Sequence, residues 1–257
     1  MAAQLLTVFC GSLVGFSLAL TGGGGSTLAI PLLLYVVGLQ DMHLAIGTSA
    51  LAVSLNAYIN LIPHARGGHV RWRAGIIFTV AGIVGAFIGS EIGKIVDGRA
   101  LQALFAVLII LVALLMVRRC RAGLHTDDGE PIKYLDGRLS GVGCGAGAVA
   151  GFFGVGGGFM VVPGLMLAAR MNIIDAIGTS LLGVGSFGLA TALNYARSGL
   201  IDWALAGEFL LGGIAGGWIG AVLAQRLSVK RGVLNWIFSG LLIAVGVYML
   251  VKTLHLI

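Results

Sequence analysis

Long runs without a charged residue dominate this chain. The first run extends from Met1 to Gln40, and later runs include those at 74–90, 100–117, 139–169, 176–196, 209–225 and 232–251. A helix of about 20 apolar residues is long enough to cross the hydrocarbon core of a bilayer. Most of the runs have that length, so they predict membrane-spanning helices.

The first run and the run at 139–169 are too long for one crossing, and each contains a glycine cluster, at 22–25 and 154–158. Glycine is unfavourable inside a helix, so each cluster divides its run into two helical pieces. The sequence therefore predicts an all-α polytopic membrane protein with five helices in each half. The predicted helices lie at 2–20, 26–38, 43–62, 72–93, 99–117, 139–153, 159–170, 174–194, 203–224 and 231–251.

A cleaved signal peptide is the alternative interpretation of the first piece. The piece has no basic region before it, and its apolar run continues past any plausible cleavage site. It also has a counterpart at 139–153 in the second half. We therefore expect it to form a helix of the protein.

Composition supports the membrane interpretation and excludes several other classes. Apolar residues make up 58% of the chain and charged residues 10%, whereas a soluble domain carries roughly 25% charged residues. This excludes an ordinary soluble enzyme and a disordered protein. The 16 basic residues lie mostly in short loops, where they act as topology signals and not as a nucleic-acid surface. We expect no metal site, no cofactor, and free thiols at Cys10, Cys120 and Cys144, which lack metal-ligand spacing.

The chain contains an internal repeat. Identical pentapeptides, Ala45–Ser49 and Ala176–Ser180, lie 131 residues apart, and shifts of 131 or 132 residues superimpose further Arg, Trp, Gly and Pro positions. These pairs are Arg66/Arg197, Trp72/Trp203, Gly82/Gly213, Gly85/Gly216, Gly89/Gly220, Gly24/Gly156, Gly25/Gly157 and Pro31/Pro163. The sequence therefore predicts a first transmembrane repeat at 1–119, a cytoplasmic linker at 120–138 and a second repeat at 139–257.

The distribution of basic residues predicts the orientation of the two repeats. If each half crosses the membrane an odd number of times, 12 of the 16 basic residues lie on one side, whereas an even number places 10 on one side. The positive-inside rule favours the odd number, which places both termini outside the cell membrane and makes the halves inverted repeats, as in many secondary transporters. Both a re-entrant hairpin and a full crossing at each glycine break satisfy this count.

The glycine cluster, the Pro six residues after it and the Ala-Ile-Gly-Thr-Ser pentapeptide, all present twice, resemble the TauE/SafE sulfite exporter family. The resemblance covers about 11–250. It implies a membrane transporter and not an enzyme. It also implies a small sulfur-containing anion, sulfite or an organosulfonate, as the substrate.

The glycine clusters are the strongest candidates for the anion site. A helix that begins directly after a cluster presents free backbone N–H groups and the positive end of its dipole to the glycines, and inside a membrane those donors need a partner. Inversion lets the two broken helices converge near the midplane. The alternatives are close helix packing at the glycines and, for the hydroxyls, hydrogen bonds to a preceding carbonyl. The candidate substrate-binding residues are Gly23, Gly24, Gly25, Ser26, Thr27, Thr48, Ser49, Gly156, Gly157, Gly158, Thr179 and Ser180.

Three charged residues are candidates for roles outside this cradle. Arg66 and Arg197 are repeat counterparts that either steer the anion or gate the path at opposite mouths, or contact lipid headgroups. Glu208 is the carboxylate placed furthest inside a helix, where it either carries a proton or reaches water at the helix end.

Three amides in apolar helices either line the path or lock helices together: Asn56, Asn60 and Asn194.

The leading interpretation is a secondary transporter that exports the anion, with the anion and the lipid bilayer as its partners. An anion-selective channel and a membrane scaffold without transport remain as alternatives. Gly-x-x-x-Gly pairs permit a homodimer without requiring one.

The topology can be tested directly. We expect a reporter fused after Ile257 to lie outside the cytoplasm and one inserted near Asp128 to lie inside it, because the charge distribution favours this orientation. Paired enzyme reporters active on opposite sides of the membrane measure both positions. Two reporters on the same side would refute the inverted repeat.

Overall fold

A computed structural model describes residues 2–21, 24–122, 135–171, 173–226, 243 and 246–251. These residues form helices and short connections, with no strand among them, which confirms the all-α fold. The elements are α1 (Ala2–Thr21), the irregular α2 (24–37), α3 (Met42–Arg66), α4 (Trp72–Ile95), α5 (Gly98–Ala122), α6 (Leu135–Phe153), α7 (Gly158–Ala169), α8 (Ile173–Arg197) and α9 (Trp203–Arg226), and residues 246–251 are also helical.

Most helices begin and end close to their predicted bounds. The largest extensions are at the end of α5, which reaches Ala122, at the start of α6, which begins at Leu135, and at the end of α3, which reaches Arg66. Residues 123–134 of the predicted linker, and most of the helix predicted at 231–251, lie outside the described residues.

The segment after the first glycine cluster is less regular than the single helix predicted at 26–38. It consists of a 3-10 turn (Gly24–Leu28), an α-helical turn (Ala29–Pro31) and a π-helical turn (Leu32–Val37). Pro31 has no N–H with which to extend an α-helical ladder. The equivalent Pro163 nevertheless lies inside the regular helix α7, so the proline by itself does not explain the difference.

The first helix of each half packs on the fourth helix of the other half. α1 runs beside α9, and its counterpart α6 runs beside α4. The contacts occur at glycines that lie directly against the facing backbone, and each contact recurs in the other pair of helices when the repeat shift is applied. The recurring pairs are Gly11–Phe209 with Gly143–Phe78, Gly15–Gly213 with Gly147–Gly82, Gly216–Ser12 with Gly85–Cys144, and Gly220–Phe16 with Gly89–Ala148.

α3 and α8 are repeat counterparts, and they pack against each other in antiparallel directions. Gly47 near the start of α3 lies against Tyr195 near the end of α8, and the Tyr58 and Ser186 hydroxyls are hydrogen-bonded at 2.8 Å. Gly178 near the start of α8 lies beside His64 near the end of α3. Inverted halves require such antiparallel counterparts, and the orientation of the halves across a membrane remains a prediction.

Three of the described helices are long and apolar enough to cross a membrane: Met42–Arg66, Trp72–Ile95 and Ile174–Arg197. α4 shows how such a helix divides its surface. Its glycines face the protein, while apolar side chains at every fourth position are each 50–60% exposed on the outer face. These exposed residues are Ile76, Val80, Val84, Ile88 and Ile92. A continuous apolar stripe of this length is unfavourable in water and is suited to contact with lipid.

The glycine contacts generate a matched pair of variants in α6. A methyl group at Gly147 would collide with the backbone carbonyl of Gly82, whereas one at the exposed Gly145 meets nothing within 4 Å. We expect Gly147→Ala to lower the free energy of unfolding by about 1–3 kcal/mol through overpacking. Gly145→Ala has the higher helix propensity of alanine and should be neutral or slightly stabilising. Unfolding midpoints in mild detergent compare the two, and equal midpoints would refute close packing at Gly147.

Candidate functional site

The second glycine cluster forms a sharp break between α6 and α7. Gly154, Gly156 and Gly157 all have φ of 66–67°, in the left-handed region that glycine adopts without steric cost. Gly157 is the N-cap residue of α7, and its carbonyl accepts hydrogen bonds from the N–H groups of Met160 and Val161 at 2.8 and 2.9 Å. The break is buried throughout, so its remaining backbone donors lie away from water.

The first glycine cluster is followed by the 3-10 turn of α2. Gly22 and Gly23 lie outside the described residues, and Gly24 and Gly25 are the first two residues of the turn. Ser26 and Thr27 lie in the turn with side chains that are 0% and 1% exposed, and each of the two engages a neighbouring group.

The segments that follow the two breaks contact each other inside the helix bundle. α7, which begins at the second break, contacts the 3-10 turn of α2 that follows the first. Gly154 packs on Ile46 of α3, and Gly156 lies 3.1 Å from Val184 of α8, measured from the position that a Cβ atom would occupy. The second cluster is therefore enclosed by α3 and α8, the two helices that carry the repeated pentapeptides.

The two pentapeptide threonines join the halves through reciprocal hydrogen bonds. The Thr48 hydroxyl accepts from the N–H of Asp202 at 3.0 Å, directly before α9, and the Thr179 hydroxyl accepts from the N–H of Arg71 at 2.9 Å, directly before α4. Applying the repeat shift converts one bond into the other. These hydroxyls thus have a structural partner that the sequence did not indicate, because the acceptor and donor lie more than 100 residues apart.

The two pentapeptide serines bond back to their own helices, as one of the alternatives anticipated. The Ser49 hydroxyl donates to the carbonyl of Ile46 at 3.1 Å, and the Ser180 hydroxyl donates to that of Ile177 at 2.7 Å. Such bonds satisfy a hydroxyl in apolar surroundings.

The three helix amides have different environments. Asn194 joins α8 to α4, since its amide donates to the Ser90 hydroxyl at 2.6 Å and accepts from the Lys94 ammonium at 2.9 Å. Asn60 packs on Gly217 of α9. Asn56 packs on Gly213 and is fully buried, and neither of its amide atoms has a hydrogen-bond partner within the described part of the chain.

Lys94 is a residue that the sequence analysis missed. Its ammonium group also donates to Glu91 at 3.1 Å and to Ser198 at 3.3 Å, and its side chain is only 16% exposed. The sequence offered one signal, a lysine in the last turn of a helix whose 74–90 stretch carries no charge. Its partners Asn194 and Ser198, at the end of α8 and directly after it, lie about 100 residues away, so their proximity emerged only in the fold.

The charged residues proposed for steering and proton transfer lie outside the two breaks. Arg66 and Arg197 are exposed at the last residues of α3 and α8, which are antiparallel and therefore place the two at opposite ends of the bundle. Glu208 is partly buried in the second turn of α9, and no hydrogen bond or ion pair joins it to another described residue. The position of Glu208 near a helix end fits either of the two roles considered for it.

Comparison with known proteins identifies the family. Residues 7–249 match the sequence profile described as Sulfite exporter TauE/SafE. The chain belongs to the TauE/SafE family. The match confirms the resemblance seen in the repeated motifs and extends over nearly the entire sequence.

Relatives of this TauE/SafE protein are named as transporters. A probable membrane transporter protein of Xylella fastidiosa is 52% identical over 246 residues, which cover 96% of this chain and 94% of the relative. Probable membrane transporter proteins of Bacillus subtilis (YunE) and Methanocaldococcus jannaschii are 24% and 26% identical and cover 88% and 95% of this chain, with 90% and 94% of their own lengths. No solved structure matches the chain. The TauE/SafE protein is therefore a membrane transporter.

The reciprocal threonine bonds yield a prediction that separates a structural role from ligand binding. Thr179→Val leaves the N–H of Arg71 without its acceptor, so we expect the free energy of unfolding to fall by about 1–2 kcal/mol. Thr179→Ser retains the hydroxyl oxygen, so we expect a smaller decrease in its free energy of unfolding. Unfolding midpoints of both variants, with anion affinity measured beside them, test this. Unchanged stability in Thr179→Val combined with lost anion affinity would assign the hydroxyl to the substrate.

Proposed function

We propose that this TauE/SafE protein exports a small sulfur-containing anion, sulfite or an organosulfonate, which binds between the two glycine breaks. The observation that carries the proposal is the contact between α7 and the 3-10 turn of α2. α7 follows the second break and the turn follows the first, so the contact joins the segments that leave the two breaks. In the proposal, the backbone N–H donors at the start of each segment face the same anion.

The chemistry of the breaks suits an oxyanion. Glycine has no side chain, so sulfite oxygens can approach the backbone N–H groups directly. Donors in an apolar interior are costly when unpaired, and a bound anion would satisfy them. We propose Gly23, Gly24, Gly25, Gly156, Gly157 and Gly158 as the backbone of this cradle, with Ser26 and Thr27 beside it. The hydroxyls of Thr48, Ser49, Thr179 and Ser180 have the structural partners described above, so we place them around the cradle.

The membrane potential by itself supplies a driving force for export. With the cytoplasm negative, moving one negative charge outward releases about 2.3 kcal/mol per 100 mV. In the proposed orientation, with both termini outside the cell membrane, export needs no proton carrier. Glu208 would then be dispensable for flux.

An anion-selective channel is the second candidate, because the same breaks could line a pore without alternating access. The two differ in kinetics. A transporter saturates with substrate and turns over far more slowly than a channel conducts.

Flux through liposomes tests the proposal. We expect saturable sulfite efflux that an imposed potential, negative inside, drives without a pH gradient. Gly157→Leu should reduce this flux to background, because a Cβ atom at this left-handed glycine would lie 2.5 Å from that of Ala150 and would displace the start of α7 with its backbone donors. Gly199→Leu is the matched control, since Gly199 has a similar φ of 70° but nothing within 4 Å of its Cβ position.

A second variant guards against misfolding. Gly156→Ala adds only a methyl group beside Val184, and we expect reduced flux from a protein that still inserts. Normal flux in both cradle variants would reduce the glycines to packing residues. Flux that requires a pH gradient and disappears in Glu208→Gln would replace potential-driven export with proton coupling.

A further inference from the structure

A cavity of about 480 Å³ lies at one end of the bundle, away from the glycine breaks. It is bordered by the residues before and at the start of α4, the start of α6, the end of α7 and the start of α8. Three arginines line it, Arg71, Arg73 and Arg170, together with two carboxylates, Asp136 and Asp175. The volume lies in the range of small-molecule sites.

The carboxylates do not neutralise the three arginines. Asp175, whose side chain is 9% exposed, accepts from Nε of Arg71 at 2.7 Å and lies 3.7 Å from Nδ1 of His69. The pair between Arg73 and Asp136 is 3.2 Å long, and its side chains are 82% and 57% exposed, so it is weak and easily exchanged. Arg170 has no carboxylate or carbonyl partner within the described residues.

The backbone of Arg170 provides an independent observation. Its φ of 48° makes it the one non-glycine residue with positive φ in the described part of the chain. It caps the end of α7, and the repeat counterpart that ends α2 is Gly38, with φ of 91°. A bulky residue held where the other half uses glycine is strained, and such strain is often found at functional sites.

The repeat does not reproduce this cavity at the other end of the molecule. The counterparts of Arg71, Arg73 and Arg170 are Asp202, Ala204 and Gly38. The counterparts of Arg73 and Arg170 are therefore uncharged, and the counterpart of Arg71 carries a negative charge. The arginine cluster belongs to one end of the bundle, where Trp72, 51% exposed, lies among its lining residues in the manner of an interfacial aromatic anchor.

We propose that this cavity is an oxyanion site in which the guanidinium groups of Arg170 and Arg73 bind a phosphate-type or sulfonate-type group. Arg71 is held by Asp175 and supports the site through its charge. Guanidinium groups bind such oxyanions through paired N–H donors. Two sources offer this chemistry, a soluble anion in the water at this end and the headgroup of an anionic lipid. The site is distinct from the glycine cradle and does not depend on it.

Arg170→Gly is the decisive variant, because it removes the guanidinium and places glycine where the backbone already favours it. We expect the folded protein to be as stable as the parent or more stable. Arg170→Asn, which also tolerates left-handed φ, is the second variant. Arg99→Gln is the control, because it removes the same charge from an exposed position at the start of α5, close to the end of α4 that lies away from the cavity.

The purified full chain is measured in nanodiscs of phosphatidylcholine alone and of phosphatidylcholine mixed with phosphatidylglycerol. Titration calorimetry with sulfite and with inorganic phosphate measures soluble anions, and native mass spectrometry counts retained phosphatidylglycerol. We expect Arg170→Gly and Arg170→Asn to weaken one of these interactions about tenfold or more, and Arg99→Gln to leave it unchanged. Weaker sulfite or phosphate binding in phosphatidylcholine identifies a soluble anion, and lost phosphatidylglycerol identifies a lipid.

The proposal is overturned if neither Arg170 variant differs from Arg99→Gln in either measurement. Failure here leaves the glycine cradle untouched, because Gly157→Leu tests that site by flux. Conversely, a cradle that carries no flux would not alter the comparison between Arg170 and Arg99.

Discussion

Direct contact between glycine and the facing backbone holds the two halves of this protein together. α1 lies on α9 and α6 lies on α4 at a separation that leaves no room for a single methyl group at Gly15 or Gly147. In lipid, where apolar side chains gain little from leaving the solvent, such close approach is a main source of helix association. Because each of these contacts joins a helix of one half to a helix of the other, neither half has a complete packing partner of its own.

The breaks add a second constraint, that backbone donors inside an apolar bundle must be satisfied. Glycines with left-handed φ separate α6 from α7 within a few residues. The carbonyl of Gly157 accepts hydrogen bonds from two backbone N–H groups at the start of α7. The pentapeptide threonines meet the same need at the starts of α4 and α9, where they accept from backbone N–H groups of the opposite half. Our proposal of an anion at the breaks depends on the same need, since an oxyanion is a strong acceptor.

The two ends of this nearly symmetric molecule differ in their charged groups. One end carries the arginine cavity around Asp175, whereas the other carries Lys94 with Asn194 and Glu91. Neither group recurs under the repeat shift, although the glycine contacts do. Packing positions are thus common to both halves, and the charges distinguish the ends.

The sequence by itself determined most of the helices, the break at the second glycine cluster, the repeat and the family, because apolar run length, glycine clusters and repeated motifs are local properties. It also singled out the glycines and hydroxyls that are candidates for the site. It did not determine what they touch. Thr48 bonds a residue 154 positions away, Asn194 joins a lysine 100 positions away, and Arg170 and Arg73 line the same cavity although 97 positions separate them in the sequence. Such contacts depend on how the helices cross, and crossing is decided by the packing of all helices at once.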